Sequence, residues 1–350
     1  KKMTNSKLNN PGIIYFVQEK DLLGYSTPNY VKIGLVKDNE IGRSGEDRKD
    51  EHQTGNPRPL YIAHSITTKA SVSKLESLIH QKLSLHRHRG EWFVKPNGEI
   101  DPFIKESNLI NEQLQDQLKN DLKIEELNSQ VSSGEITKPS SEAQDIHNEL
   151  LRVIKEKKEI ETQKKIIELK LRLLSGSSNN SIEGVFQWIL KRESQRFDAR
   201  NFEKENPELF EKYAKESQSS IFRIQKINSN INKELIEELN SKVSHLNSSE
   251  KSTKIERSNE AEDLHREWLT LLSQQQPLEL KKENLVNKLK ILCDENSGIE
   301  NICSWKREPI KKIKKSDLLE VDKDIVNKYL VKVNSTSSFV LNTFRAYKFK

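Results

Sequence analysis

An internal repeat in residues 106–350 constrains the fold of this chain more than any other feature. The hexapeptide Ile-Glu-Glu-Leu-Asn-Ser at 124–129 recurs at 236–241, and the segment 142–147 recurs in similar form at 260–265. Aromatic residues follow in the same order in both copies, and the pairs are Trp188 and Trp305, Tyr213 and Tyr329, and Phe222 and Phe339. Because all the offsets fall between 112 and 118 residues, the pattern predicts a duplicated module of about 115 residues.

Both copies follow one plan. A helix of about thirty residues leads to the tryptophan segment, and a short helix surrounds the tyrosine. A terminal strand follows at 221–227 in the first copy and at 338–347 in the second. We therefore predict two mainly helical modules, at 106–232 and 233–350, in which tryptophan and tyrosine are core anchors.

The preceding residues 11–105 have a different texture, with short runs of β-branched and aromatic residues. The predicted elements are strands at 13–17, 30–36 and 60–66 and helices at 46–52 and 71–85. Their β-β-α-β-α order predicts a small three-stranded antiparallel sheet with flanking helices, so the fold class is α+β. Residues 1–10 are predicted to be a disordered leader.

Charge is distributed unevenly along the chain. Residues 1–105 contain 17 basic and 12 acidic residues, residues 306–350 contain 12 and 5, and the helical middle is acidic. Basic ends favour a polyanionic partner, with surface solubility as the alternative interpretation. No long apolar run is present, so we expect no membrane contact. The two cysteines, Cys293 and Cys303, form no Cys-x-x-Cys pair, which favours a reducing cytoplasm.

Four segments of residues 11–95 can be compared with a known family. They are Ile14-Tyr15-Phe16-Val17, Val31-Lys32-Ile33-Gly34, Arg48 with Gln-Thr-Gly-Asn-Pro at 53–57, and Leu75-Glu76 followed by Gly-Glu-Trp-Phe at 90–93. In this order they resemble the GIY-YIG endonuclease superfamily, most closely the phage-type branch in which lysine replaces the first tyrosine of YIG. The resemblance implies a GIY-YIG-like nuclease domain at 11–105.

The resemblance implies one metal ligand and one phosphate-binding arginine. Glu76 is the implied ligand of Mg²⁺ or Mn²⁺, hard cations of which Mg²⁺ keeps most of its waters and takes one or two carboxylates. Arg48 is the implied arginine by its spacing from Gln-Thr-Gly-Asn, whereas spacing from Gly34 would favour Arg43. A guanidinium binds phosphate oxygens through two hydrogen bonds and stays charged. Ordinary surface roles for Glu76 and Arg48 are the alternatives.

Four further residues are expected to contribute to catalysis. The resemblance implies that the phenol of Tyr15 holds or deprotonates the attacking water, and a base role requires a nearby charge that lowers its pKa. Lys32 stands where most of the superfamily has tyrosine and is the other candidate base. His52 and His80 are candidate proton relays, with plain surface histidines as the competing interpretation.

Two basic segments are candidates for DNA contacts. Arg87 and Arg89 follow the helix at 71–85 and are placed to bind phosphates without sequence preference. The second candidate is the stretch that contains Lys306, Arg307, Lys311 and Lys312. The alternative for the second stretch is a solvated charged loop.

Residues 142–227 resemble, more weakly, the accessory segment behind the catalytic core of YqaJ-type viral recombinases. The shared pattern comprises Trp188, Arg-Phe-Asp at 196–198, Phe202, Pro-Glu-Leu at 207–209, Tyr213 and Phe-Arg-Ile at 222–224. The resemblance implies a helical accessory module used beside nucleases, and it carries over no catalytic carboxylate.

These features together predict a cytoplasmic, metal-dependent DNA endonuclease with duplicated helical modules for targeting or assembly. Phage or anti-phage biology is the setting that the resemblance suggests. DNA is the predicted partner, and the modules are candidates for self-association or for binding another protein. The alternative is a catalytically inactive DNA-binding or protein-interaction protein on the same scaffold.

Overall fold

The computed structural model describes residues 10–21, 29–38, 44–176, 180–224, 232–244, 253–320, 322–334, 336–345 and 347. The predicted α+β class is confirmed. The predicted leader lies outside the described residues except for Asn10, and Arg43 lies outside them as well. Among the described helices, none has both the length and the apolar character needed to cross a bilayer.

An antiparallel sheet with helices on both sides forms the N-terminal region. Its elements are β1 (Gly12–Glu19), β2 (Tyr30–Lys37), α1 (Gly45–Gln53), β3 (Leu60–Thr68), α2 (Val72–Lys82), β4 (Arg87–Arg89) and β5 (Trp92–Val94). In the described part of the chain the sheet order is β3-β1-β2-β5-β4. The sheet has five strands where the sequence predicted three, because the hairpin β4–β5 pairs with β2.

The two faces of this sheet bury different residues. Ile14 and Phe16 of β1 pack with Leu75 and Ile79 of α2 in the main core. Tyr15 and its neighbours on the other face form a smaller cluster with Trp92. Because side chains alternate along a strand, both faces of β1 are covered, and every residue from Ile14 to Val17 is fully buried.

The rest of the chain contains the repeats. The elements are α3 (Asp101–Asn128), β6 (Ile136–Thr137), α4 (Ser141–Leu174), β7 (Ser181–Ile182), β8 (Phe186–Lys191), β9 (Ser194–Phe197), α5 (Ala199–Glu205), α6 (Pro207–Tyr213), β10 (Lys215–Ile224), α7 (Lys233–Ser244), β11 (Lys254–Ile255), α8 (Asn259–Cys293), β12 (Gly298–Ile299), β13 (Cys303–Lys312), α9 (Lys315–Leu319), α10 (Lys323–Lys328), β14 (Leu330–Val333) and β15 (Thr336–Leu341). The long helices α4 and α8 begin at equivalent N-caps, Ser140 and Ser258, whose hydroxyls accept backbone N–H groups.

The two copies exchange strands. β10 of the first copy pairs with β13 of the second, with Phe222 opposite Trp305. β15 of the second copy pairs with β8 of the first, with Phe339 opposite Trp188. The shift of 117 residues that relates the two phenylalanines also relates the two tryptophans. The copies therefore complete each other's sheets about a pseudo-two-fold axis, while the predicted module boundaries stay predictions.

Helix α8 also holds the N-terminal region. The Lys74 ammonium of α2 pairs with Glu283 at 2.7 Å, and the Ser84 hydroxyl donates to the Leu269 carbonyl at 3.0 Å. Leu280 of α8 belongs to the core that contains Leu75. The second repeat thus fixes the position of α2, the helix that carries Glu76.

Candidate active site

Tyr15 lies at the centre of the smaller face of the sheet. It stands directly opposite Gly34 in the β1–β2 ladder, and its ring crosses the β2 backbone at that point. A Cβ at position 34 would lie 2.5 Å from the Tyr15 hydroxyl and 2.7 Å from Cζ. Only glycine therefore leaves room for this phenol, which gives a physical reason for the Lys-Ile-Gly sequence on β2.

Helix α1 brings two predicted residues to the Tyr15 phenol. Arg48 and His52 are four residues apart and thus share one helix face. Arg48 hydrogen-bonds Tyr15 and donates to Glu51 Oε2 at 2.8 Å, while His52 Nε2 lies 3.4 Å from the Tyr15 oxygen. A capping box at Ser44 and Asp47 fixes the start of this helix.

The Gln-Thr-Gly-Asn-Pro segment after α1 is structural. The Gln53 amide donates to the Asn56 and Arg58 carbonyls and accepts the Leu60 N–H at 2.7 Å. Asn56 donates to Glu19 Oε1 at 2.6 Å. These bonds hold the end of α1 against the start of β3 and so help to orient Arg48 and His52.

Lys32 lies on the same face of the sheet as Tyr15, two positions before Gly34 on β2. Its ammonium forms an ion pair with the Glu91 carboxylate. Burial raises the pKa of Glu91, but the hydrogen bond and charge of Lys32 outweigh burial and leave that pKa below its usual value. Glu91 lies in the Gly-Glu-Trp-Phe motif, but the motif does not predict this contact, because the contact depends on β5 pairing with β2.

Glu76 approaches the same place from α2, on the other side of the sheet. Although α2 packs on the face of the sheet opposite Tyr15, the Glu76 carboxyl is in electrostatic contact with groups of the Tyr15 face, among them Lys32, Arg48 and Glu91. The Glu76 carboxyl is half-buried, and its pKa is raised to about 7 by burial and by the like charge of Glu91. Three cations, Lys32, Arg87 and Arg48, oppose that rise.

Glu76 differs from Lys32 and Arg48, both of which form ion pairs with a glutamate. Its carboxylate makes no hydrogen bond or ion pair with the residues that the structure describes. Within the same described ranges, no three His, Cys, Asp or Glu side chains form a metal-binding group. Glu76 and Glu91 are the carboxylates in electrostatic contact here, and one or two carboxylates are what Mg²⁺ takes from a protein.

Tyr15 and its neighbour His52 are both held in their neutral forms. Burial raises the pKa of Tyr15, and the opposing hydrogen bond and charge of Arg48 do not cancel this rise. Burial and the charges of Lys32 and Arg48 lower the pKa of His52. Near neutral pH a neutral phenol thus lies beside a neutral imidazole, which can accept its proton.

The match to a known family covers this region. Residues 12–108 match the T5orf172 domain family. T5orf172 is associated with GIY-YIG-like and HNH-type phage nuclease domains. Neither the GIY-YIG family itself nor the YqaJ-type recombinases is among the matches, and no curated protein or solved structure matches the chain. We call residues 12–108 the T5orf172 domain after this similarity.

His80 has a different environment from the other predicted residues of the T5orf172 domain. Its ring is buried, and Nε2 lies 3.0 Å from the Ile33 carbonyl oxygen, to which it must donate. Burial and the charge of Arg87 lower its pKa to about 4. These contacts favour a positioning role between α2 and β2 over the predicted proton relay.

Arg87 and Arg89 of the T5orf172 domain point to different places. Arg87 Nε donates to the Gly90 carbonyl at 2.6 Å, and its charge acts on Glu76. Arg89 is exposed and lines a crevice against the repeats. Of the predicted phosphate contacts, Arg87 therefore belongs to the Glu76 site and Arg89 lies outside it.

The second predicted DNA contact lies on strand β13 rather than in a loop. Lys306 and Lys312 are exposed, and Lys311 pairs with Glu211. The structure argues against the predicted DNA contact at Arg307, because its side chain is fully buried. Its guanidinium donates to the carbonyls of Leu127, Asp294 and Asn296 at 2.9, 2.5 and 3.3 Å.

Proposed function

We propose that this protein is a divalent-metal-dependent endonuclease that hydrolyses phosphodiester bonds in DNA at the Glu76 site of the T5orf172 domain. The observation that carries the proposal is the Glu76 carboxylate, which has no hydrogen bond or ion pair among the described residues and is in electrostatic contact with cations from three other elements. The association of the T5orf172 family with phage nucleases supports the same reaction class.

The Glu76 carboxylate fits a cation. A carboxyl whose pKa is raised to about 7 regains its charge when a divalent cation replaces the proton. We propose Mg²⁺ or Mn²⁺, which Glu76 would hold, with Glu91 as the second carboxylate. Such an ion stabilises the negative charge that develops on the phosphorus oxygens.

The cations supply the phosphate site. Arg48 presents a guanidinium whose planar donors match two phosphate oxygens, and Arg87 adds charge from the hairpin side. Lys32 forms an ion pair with Glu91 and therefore carries a positive charge. In this arrangement it stabilises the negative charge of the phosphate rather than acting as the base. Preorganised donors of this kind typically contribute about 10²–10³ each in rate.

The neutral pair of Tyr15 and His52 supplies the proton path. The attacking water passes a proton to the Tyr15 oxygen while the phenol passes its own proton to His52 Nε2, across the 3.4 Å contact. The hydroxide forms the new bond to phosphorus, the bond to the leaving oxygen breaks, and His52 ends as imidazolium. Because Tyr15 is a neutral phenol with a raised pKa, it relays the proton and does not keep it.

A cleavage assay tests the proposal. Supercoiled plasmid and branched duplexes are incubated with the full chain and Mg²⁺ or Mn²⁺, and wild type is compared with Glu76→Gln and with Glu99→Gln, an exposed glutamate of the same domain. We expect nicking by wild type and Glu99→Gln and a loss of about 10³ or more for Glu76→Gln. Uncut DNA that the wild type nevertheless binds would support the inactive scaffold instead.

A further inference from the structure

An open crevice of about 910 Å³ lies between the β4–β5 hairpin and the repeats. Three parts of the chain line it: Arg89 of the T5orf172 domain, the first copy around Ser181, and the second copy with Lys254, Arg257 and Phe344. Lys254 and Arg89 are exposed, and Phe344 is half-exposed. The charged residues of its lining are three cations from two separate regions, Arg89, Lys254 and Arg257, and one exposed acid, Glu183. The crevice thus has an excess of cations beside the ring of Phe344.

The pseudo-two-fold axis provides an internal comparison. A second crevice of about 770 Å³ is lined by Ile136 and residues 299–304. The offset of 118 residues that relates the two copies places Ile136 where Lys254 stands and Pro139 where Arg257 stands. The charged residues that line this second crevice are Arg223 and Glu300. Of two equivalent crevices, the one beside the T5orf172 domain has the additional cations.

The crevice is joined rigidly to the Glu76 site. The Arg345 N–H donates to the Arg87 carbonyl at 2.7 Å, which ties the C-terminal segment of the second copy to β4. Leu85, just before β4, packs on the core formed by α4, α8 and the C-terminal segment. Arg87 contributes to the Glu76 site and Arg89 to the crevice, so the β4 strand connects the two places directly.

Arg257 is preorganised at the crevice wall. Its Nε donates to Glu262 Oε1 at 2.6 Å, one amino group donates to the Glu183 carbonyl at 3.2 Å, and the guanidinium stacks over the Tyr347 ring at 4.1 Å. Its charge is therefore partly compensated by Glu262. The cations best placed to pair with an external anion are Lys254 and Arg89.

We propose that this crevice binds the phosphate backbone of the DNA substrate beyond the scissile phosphate, so that the second repeat supplies part of the substrate track. The proposal rests on the proposed nuclease function for the identity of the substrate. Exposed cations bind phosphates without regard to sequence, and Phe344 offers a ring on which an unpaired base can stack. The duplicated module would then serve substrate binding as well as support of α2.

A DNA-binding assay that requires no cleavage tests the proposal. The full chain carrying Glu76→Gln is titrated into a short fluorescent DNA duplex over a series of salt concentrations. Lys254→Glu is added in one variant and Lys138→Glu in a matched control, since Lys138 is an exposed lysine beside the second crevice. We expect Lys254→Glu to weaken binding about tenfold and to make the log–log salt dependence shallower by about one.

Equal effects of the two lysine variants on affinity and salt dependence would overturn the proposal. In the cleaving wild-type background, Lys254→Glu should raise KM and leave kcat unchanged, because the contact is made equally in the bound substrate and the transition state. If the wild type cuts no DNA, the proposed function fails, while the binding comparison still decides the role of the crevice.

Discussion

Arg307 and Glu76 are both withdrawn from water, fully or in part, and their surroundings are opposite. Arg307 is fully buried, donates to three main-chain carbonyls near the ends of α3 and α8, and stacks over Trp305 at 4.1 Å. Glu76 is half-buried, lies near the like charge of Glu91, and has a pKa of about 7. Main-chain carbonyls accept hydrogen bonds from both terminal amino groups of Arg307, whereas the described residues give the Glu76 carboxylate no hydrogen bond or ion pair. A charge that the chain leaves uncompensated marks the place where a ligand is expected.

The largest expected effect is on the cleavage rate, and it is expected at Arg48 in the Glu76 site rather than at Arg307. Arg48→Lys keeps the positive charge but removes the planar donors that bind two phosphate oxygens. We expect single-turnover cleavage to fall about 10²–10³-fold. The free energy of unfolding should change by less than about 0.5 kcal/mol, because the side chain is partly exposed and its ion pair with Glu51 is near the surface.

Undiminished cleavage by Arg48→Lys would show that another group binds the phosphate. Arg43→Lys is the matched variant, because Arg43 is the alternative arginine that the sequence spacing leaves open. A rate loss in Arg43→Lys together with full activity in Arg48→Lys would assign phosphate binding to Arg43.

The next effect is on stability and is expected at Arg307. Arg307→Met keeps much of the packing on Trp305 but leaves the carbonyls of Leu127, Asp294 and Asn296 without this donor. Buried acceptors that lose a partner each cost about 1–3 kcal/mol, so we expect a loss of about 3 kcal/mol in the free energy of unfolding. Denaturant unfolding measures it.

Lys312→Met is the matched control for Arg307→Met, since Lys312 is an exposed cation on the same strand. It should change stability by less than about 0.5 kcal/mol. Cleavage per folded molecule should be the same for Arg307→Met and wild type. A DNA-binding defect in folded Arg307→Met, at unchanged stability, would restore Arg307 as a DNA contact.

The difference between Arg307 and its neighbours was present in the sequence. Side chains alternate along a strand, so Arg307 shares a face with Trp305, a predicted core anchor, while Lys306 faces the other way. This run of basic residues is predicted as a DNA contact, with a solvated loop as the alternative, and no strand is predicted there, so the periodicity is not applied to it. The strand assignment alone would have placed Arg307 toward the interior.

Other features could not be derived from local pattern. The order β-β-α-β-α follows from periodicity and turn residues, and the Gly-Glu-Trp-Phe motif was visible. The ion pair between Lys32 and Glu91 depends on the pairing of β5 with β2, which is a long-range contact. The exchange of strands between the copies is also invisible locally, because Phe222 pairs equally well, by pattern, with either tryptophan.

The smallest expected effect is on stability at Glu76. It is a gain, opposite in sign to the loss expected for Arg307→Met. Without divalent cations, Glu76→Gln should raise Tm, on the order of 2 °C after allowance for solvent screening, because it removes a carboxyl that is costly to ionise. Folded Glu76 keeps its proton up to pH about 7, whereas the unfolded chain loses it near the usual value. The wild type therefore loses stability as pH rises from about 4.5 to about 7.

The difference in Tm between Glu76→Gln and wild type should thus be near zero below pH about 4.5, grow through that window, and stay constant above it. Differential scanning calorimetry at several pH values measures it, with Glu99→Gln as the exposed control. Added Mg²⁺ should stabilise only the wild type and shrink or reverse the difference, since a cation bound to Glu76 offsets the cost of its charge. A difference that is independent of both pH and Mg²⁺ would place Glu76 with Arg307, as a group whose charge the fold already compensates.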